Sequence, residues 1–461
     1  MNHPSRLVRS LTRFDATAMI VGNMIGIGIF TTTGYNAQYL DAPMGLFMIW
    51  ILGAIYAFCG ALTYAELSTR FPHSGGDYLF LTHAYHPLTG FLFGWSTFTV
   101  TYPGSIAAIA IGFAYYFLQL LPPGIKEWAV PLPLTGMEIP IIKLIAIGIT
   151  FVLTWLNSRG IRSGAGFQNV VVSLGILVLI GFVVVGISSP QGDWSHFRPF
   201  LPVSFDFPHL SRWGVALVGV LFAYSGWTVL VYIAGEVTEP RKNIPFAMAI
   251  AVTLVGVLYL LVNMVYLYTQ PLSQMSGDVE IGYITMKLLF GTRAGIIFSL
   301  MILIMVLSTL NSTILSGARI YYAMATQGRF FSRAAEIDPV HHVPSNSLWL
   351  QFWWSVLLIL LGTFDQILTY TVFVIVLFSF LAGIALFVLR RRNPGDESVY
   401  RSWGYPVITI LYLIISLWLM VNTLYHRPIE SLFGVGIVLV GIPFYYWWEK
   451  REKIKRLKVK D

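Results

Sequence analysis

Three glycines and an asparagine fall within seven residues of an apolar stretch: Gly22-Asn23-Met24-Ile25-Gly26-Ile27-Gly28-Ile29-Phe30. Each glycine weakens a helix by roughly 1 kcal/mol relative to alanine. Gly22 and Gly26 also form a small-xxx-small pair, which lets two helices approach closely. A second such run is Phe222-Ala223-Tyr224-Ser225-Gly226-Trp227-Thr228. Either run alone is compatible with simple helix packing. Together they place interruptions in the middle of two long apolar segments. Unwound backbone is tolerated at membrane depth only where it lines a cavity. The outer half of the first interrupted helix is expected to begin near Ile27 and Gly28. Its free N–H groups and positive dipole end favour a carboxylate. The inner half is expected to end near Met24 and Ile25, where free carbonyls favour an ammonium. Carbonyls at Phe222, Ala223 and Ser225 add to that side. The chemistry is recognition of a zwitterion by backbone, with no charged side chain required.

The elements that must hold these runs are legible in composition. Of 461 residues, 56% are hydrophobic and 11% are charged. A soluble globular chain carries about 25% charged residues. A surface this apolar needs lipid around it. About twelve apolar runs are long enough to span a bilayer, near 16–40, 44–67, 90–121, 139–156, 167–188, 213–235, 246–269, 294–325, 347–363, 366–389, 405–424 and 431–448. None shows the period-2 alternation of a barrel strand, so the fold class is an all-α membrane protein. The first run is too long for a secretory signal and lacks a cleavage site, so it is expected to remain in the mature chain. The outer segment from about 272 to 293 has an amphipathic character and is a candidate surface lid.

Charge supports the count. With twelve spans, all but seven of the 29 Lys and Arg fall in loops sharing one side with the termini. The positive-inside rule then puts both termini in the cytoplasm of a multi-pass cell (plasma or inner) membrane protein. The formal net charge of +8 is thereby explained by facing anionic lipid headgroups, and no nucleic-acid partner is expected. The lone cysteine, Cys59, sits in an apolar run and reads as packing. No metal spacing, phosphate loop or nucleophile turn is present, so neither an enzyme nor a cofactor or metal is expected. His341-His342 lies between Pro339 and Pro344 and reads as a solvated loop pair. The spans are nearly free of charge, which argues against an ion channel.

Further motifs accompany the two breaks: FPHSGGDY from Phe71 to Tyr78, GEVTEPRKNIPFAM from Gly235 to Met248, and LNSTILSGARIYYAMATQGRF from Leu310 to Phe330. With the breaks, they resemble the amino acid–polyamine–organocation superfamily. Within it they resemble the bacterial L-type amino acid transporters, of the serine/threonine-exchanger kind. The resemblance covers nearly the whole chain. It implies a five-plus-five inverted repeat of the LeuT type, with residues 1–190 and 191–392 as the two repeats and 393–461 as two extra helices and a basic tail. It implies alternating access, with Met24, Gly26, Ile27 and Gly28 facing the substrate backbone. It also implies that Phe222 closes over the substrate and that Ser225 faces its side chain. Trp227 then supports the outer gate or is simply a packed aromatic. Asn311 is a polar support or a helix–helix hydrogen bond. Two departures from the family stand out. Ile27 replaces the usual serine, and Gly175 stands where many relatives carry a lysine. No cysteine occurs from Leu121 to Met137, so no disulfide-linked heavy subunit is expected.

The function expected is secondary transport of a neutral L-amino acid with a small to medium side chain, by sodium-independent exchange. No pocket carboxylate is evident in the sequence, so arginine and lysine are expected to be poor substrates. The alternative is proton symport, with Glu66 or Glu236 as carriers, although a structural salt bridge or cap suits both. A rival of another class is a membrane receptor that binds an amino acid without moving it.

Overall fold

A computed structural model describes residues 9, 11–71, 75–131, 138–160, 165–202, 206–392 and 399–458. Residues 72–74 of the FPHSGGDY motif, 132–137 of the loop between the third and fourth spans, and the domain boundary at 393 lie outside them. The helices in chain order begin with α1 (Arg13–Met24), α2 (Gly28–Asn36), α3 (Pro43–Arg70) and α4 (Gly76–Ala84). Next come α5 (Pro87–Ser96), α6 (Tyr102–Leu118), α7 (Ile141–Ser158) and α8 (Ala165–Ile187). The interrupted sixth span is α9 (Phe207–Tyr224) and α10 (Val229–Tyr232). It is followed by α11 (Pro240–Thr269), α12 (Ile281–Phe290), α13 (Thr292–Thr326) and α14 (Ser345–Leu361). The chain closes with α15 (Phe364–Arg392), α16 (Val407–His426) and α17 (Pro428–Lys458). A short hairpin of β1 (Ala129–Pro131) and β2 (Glu138–Pro140) precedes α7.

Eleven spans among the described residues are long and apolar enough to cross a membrane. The helix α14 has 17 residues, the lower end of what a bilayer needs. Together they account for the twelve runs. The protein is an all-α membrane protein.

The outer helices show which faces meet lipid. On α8, Val170, Leu177 and Val184 are exposed at seven-residue spacing. Val407, Ile414 and Val421 repeat the pattern on α16. Such stripes would be aggregation sites in water and are normal against acyl chains. The interior packs on small residues, as expected where lipid supplies no hydrophobic force between helices. Gly60 on α3 lies under the Trp227 ring, and Gly112 on α6 lies under Ile27.

The lid expected at 272–293 is instead a packed element. Ile281 on α12 is fully buried, and the Gly282 N–H donates to the Tyr116 hydroxyl at 3.1 Å. Its apolar face is covered by α13 and α2. The amphipathic pattern therefore reflects docking onto the bundle.

Contacts also define the two ends of the bundle. At one end, Leu11 pairs with Val237, and the Glu66 carboxylate joins α3 to Arg390 and to the Ser402 N–H. At the other end, Asp41 meets Arg212, and Asp365 meets Arg427 at 2.9 Å.

Candidate functional site

The first span is helical from a capping box at Thr12 and Asp15 up to Met24. At Ile25 the backbone leaves the helix, with φ −75° and ψ 83°. The Gly26 N–H turns back to the Met24 carbonyl at 2.9 Å. Helix α2 then starts at Gly28, and no side chain caps it. The break falls where the glycine spacing put it. The first-turn N–H groups of α2 are the ones a helix cannot satisfy internally.

The sixth span breaks at the same kind of place. Helix α9 ends at Tyr224, and Ser225–Thr228 forms a tight 3₁₀ turn. The Ser225 hydroxyl donates to the Phe222 carbonyl at 2.8 Å, and the Thr228 hydroxyl donates to the Ser225 carbonyl at 3.2 Å.

The two breaks touch each other through glycine. A Cβ on Gly28 would lie 2.6 Å from the Ala223 Cβ. A Cβ on Gly226 would lie 2.4 Å from the Asn23 carbonyl oxygen. Both distances are impossible for any other residue without moving backbone. The glycines thus bring two unwound segments together as well as weakening their helices.

Carbonyls in these breaks are less free than the sequence suggests. Tyr259 on α11 donates its hydroxyl to the Met24 carbonyl, and that hydroxyl also lies 3.3 Å from the Ala223 carbonyl. Tyr266 donates to the Ile29 carbonyl at 3.2 Å, and Tyr116 donates to the Phe30 carbonyl at 2.6 Å. The reason is general: an unpaired carbonyl in a low-dielectric interior costs several kcal/mol, so side chains are recruited to satisfy it. The Met24 carbonyl is thereby doubly satisfied, by the Gly26 N–H and the Tyr259 hydroxyl.

A cavity of about 160 Å³ opens between the breaks. Asn23, Met24, Gly26, Ile27 and Gly28 line it from the first span, and Phe222, Ala223, Ser225, Gly226 and Thr228 from the sixth. Residues Thr101, Ser105 and Ile109 reach it from the third span, Thr309, Thr313 and Ser316 from α13, and Phe378 and Ser379 from α15. Thr101 sits at the end of a π turn, Thr97–Thr101, that separates α5 from α6. Such turns recur at ligand sites because they re-aim side chains.

Ile25, Trp227 and Asn311 are not in the cavity wall. Ile25 faces a void of about 10 Å³ shared with Gly175 and Met305, too small to hold more than about one water. A Cβ on Gly175 would stand 3.0 Å from the Met305 sulfur, so the space of a long side chain is filled. Trp227 is 3% exposed and packs edge-on against Tyr64 at 5.1 Å. Its place behind the Ser225 turn makes it a packed support. Asn311 accepts a hydrogen bond from Asn157 at 2.7 Å, a link between α13 and α7.

One charged side chain reaches the cavity among the described residues, and its presence corrects the sequence reading that no pocket carboxylate exists. Asp77 on α4 lines the same cavity with Tyr64 and Tyr232. It is 3% exposed. Tyr64 donates to one oxygen at 2.6 Å, and Tyr232 donates to the other at 3.0 Å. Burial pushes its carboxyl up to about 6, against the opposing pull of the two hydroxyls. The GGDY stretch was legible as a motif, yet nothing in it signals that α3 and α10 close over the aspartate.

Neither acid considered as a proton carrier occupies the cavity wall. Glu66 is fully buried and receives Arg70 at 2.9 Å, Arg390, and the Ser402 N–H at 2.8 Å. It is a structural ion pair. Glu236 lies in the turn after the sixth span, where its backbone carbonyl accepts the Leu11 N–H at 3.0 Å.

Comparison with known proteins converges on one group. A family model described as amino acid permease matches residues 11–443. The chain is 28% identical over 441 residues to the serine/threonine exchanger SteT of Bacillus subtilis, covering 95% of this chain and 96% of the relative. It is 28% identical over 461 residues to the human Asc-type amino acid transporter 1, covering 98% and 85%. It is also 28% identical over 457 residues to the human large neutral amino acids transporter small subunit 2, covering 97% and 82%.

Proposed function

The chain belongs to the amino acid permease family, and from that premise we propose that it exchanges neutral L-amino acids of small to medium size by alternating access, without sodium. The observation that carries this reading is the uncapped start of α2 at Gly28, beside a cavity whose side-chain lining is neutral apart from Asp77. A ligand carboxylate accepts from the first-turn N–H groups of α2, where the helix dipole is also favourable. Its ammonium meets oxygen lone pairs on the cavity wall, those of Ser225, Thr228, Thr309 and Thr313 among them. Its side chain projects toward Ser225 and Phe222. The closed packing of Phe222 and the modest volume select against large side chains.

Exchange is favoured because the relatives named above include a serine/threonine exchanger. On this reading both termini lie in the cytoplasm of the cell membrane, and the two breaks occupy equivalent positions of a five-plus-five inverted repeat. The tests are counterflow and accessibility. Labelled serine uptake into proteoliposomes should require unlabelled serine, threonine or alanine inside and should ignore sodium. A single cysteine placed beyond Lys450 should react with a membrane-impermeant thiol reagent only after lysis. Binding of serine without counterflow would instead make the chain a receptor. Uptake that needs no internal amino acid but does need a proton gradient would favour the symport reading, which the position of Asp77 also supports.

A further inference from the structure

We propose that Asp77 is a proton-binding site on the substrate pathway, and that its protonation holds shut the end of the cavity where α4 meets the sixth span. This deepens the exchange reading above. The arrangement is a carboxyl group clasped by two hydroxyls from two different elements. Tyr64 comes from the long α3, and Tyr232 from α10, the four-residue stub beyond the break. The start of α4 presses on that stub as well. Gly76 has φ +49°, and a Cβ there would lie 2.7 Å from the Tyr232 ring. Any opening of this end must part α10 from α4, and so must break the Tyr232 bond and admit water to Asp77.

No cation neutralises the group among the described residues. The titratable side chains that face it are Tyr64 from α3, Tyr232 from α10, Tyr102 from α6 and Tyr412 from α16. Helix α15 presents Ser379, and α5 presents no ionisable group. Two of the three arginines at the end of α15 are engaged elsewhere, Arg390 with Glu66 and Arg392 with the His83 carbonyl. A carboxyl buried without a cation favours its neutral form, and its pKa near 6 is the measure of that preference. Hydration on opening returns it toward an ordinary carboxylate value.

The direction of coupling follows. The shut arrangement binds the proton more tightly than the open one, so acid favours the shut arrangement. Between about pH 7 and about pH 5, exchange should slow as the pH falls. On the proposed orientation the proton exchanges with the cytoplasm.

The test is serine counterflow in proteoliposomes with equal pH on both sides, from about pH 8 down to about pH 5. The wild-type rate should fall several-fold with one-proton steepness. Asp77→Asn, which is neutral at every pH, should give a flat profile. Tyr232→Phe removes one donor to the carboxylate and should move the midpoint to higher pH. A flat wild-type profile, or an unchanged profile in Asp77→Asn, would overturn the proposal. A second measurement needs no transport. The melting temperature of purified wild type, relative to Asp77→Asn, should rise as pH falls through about 6. If no amino acid gives counterflow, the exchange reading fails, and this difference alone decides the proton site. A difference independent of pH would sink it.

Discussion

Gly226 meets the backbone of Asn23 with no room for a side chain. A Cβ at Gly226 would stand 2.3 Å from the Asn23 carbonyl carbon. The two interrupted spans are therefore in backbone contact at the rim of the cavity, and the glycine is what permits it. Gly226→Ala should abolish counterflow, because backbone, not a flexible side chain, must give way. Gly28→Ala should do the same through Ala223. Gly148→Ala and Gly181→Ala are the controls, since nothing lies within 4 Å of either added methyl. Their transport should match wild type, with melting temperature unchanged or slightly higher. Equal loss in the controls would remove the contact as the cause.

Tyr259 reaches 235 residues back along the chain to the Met24 carbonyl. Tyr259→Phe keeps the ring and deletes the one donor offered to both breaks. Leaving a buried carbonyl short of a partner costs about 1–3 kcal/mol. Thermal unfolding in detergent should report a loss of that order, and counterflow should fall by about tenfold or more. Tyr56→Phe is the comparison, since its hydroxyl donates to another hydroxyl, that of Tyr412, at a long 3.5 Å, and its loss should be milder.

Ile27 and Gly112 are complementary in volume. A methyl on Gly112 would lie 2.4 Å from Ile27 Cγ1. Gly112→Ala should push the Ile27 side chain into the cavity and raise the KM for serine by about tenfold. Ile27→Ala in the same chain should restore most of the affinity. Ile27→Ser alone should lower the melting temperature, because it leaves a gap over Gly112. A double-mutant cycle with no coupling between the two positions would refute the pairing.

Gly175 offers no channel for a lysine. The adjoining void is about 10 Å³, and Met305 and Ile25 close it. Gly175→Lys should destabilise the protein by about 2 kcal/mol or more, through overpacking and an unpaired buried charge. Gly175→Lys with Met305→Ala should recover part of the melting temperature. Full stability of the single variant would show that the helix can part there.

The Glu66 ion pair fixes the opposite side of the same end. Arg390→Met leaves a fully buried carboxylate with Arg70 and one backbone N–H. Breaking such a pair costs about 3–5 kcal/mol. The melting temperature should drop accordingly, and Glu66→Gln in the same chain should recover much of it.

Much of this arrangement was legible in the residues. Glycine clusters at Gly22–Gly28 and around Gly226 mark breaks because helix propensity is local, and both breaks fall where the spacing placed them. Apolar runs gave the spans for the same reason. What escaped depends on partners distant in the chain. The donors Tyr116, Tyr259 and Tyr266 look like ordinary apolar-helix tyrosines until the bundle brings them to the first span. Asp77 looks like a loop acid because its burial is produced by α3 and α10. Ile25 was expected at the site because it lies in the break, but its side chain faces a separate void; Asn311, read as a polar support or a helix–helix hydrogen bond, takes the second role with Asn157.

The hydroxyls around the cavity carry one last consequence. Thr309 donates to the Met305 carbonyl, Thr313 to the Thr309 carbonyl, Ser225 to the Phe222 carbonyl and Thr228 to the Ser225 carbonyl. Their hydrogens are spent on their own helices, and only oxygen lone pairs remain to offer. This part of the wall is acceptor-rich and donor-poor. It is matched to a guest that brings three hydrogens of its own, and an N-acylated amino acid, which brings one, forfeits that match.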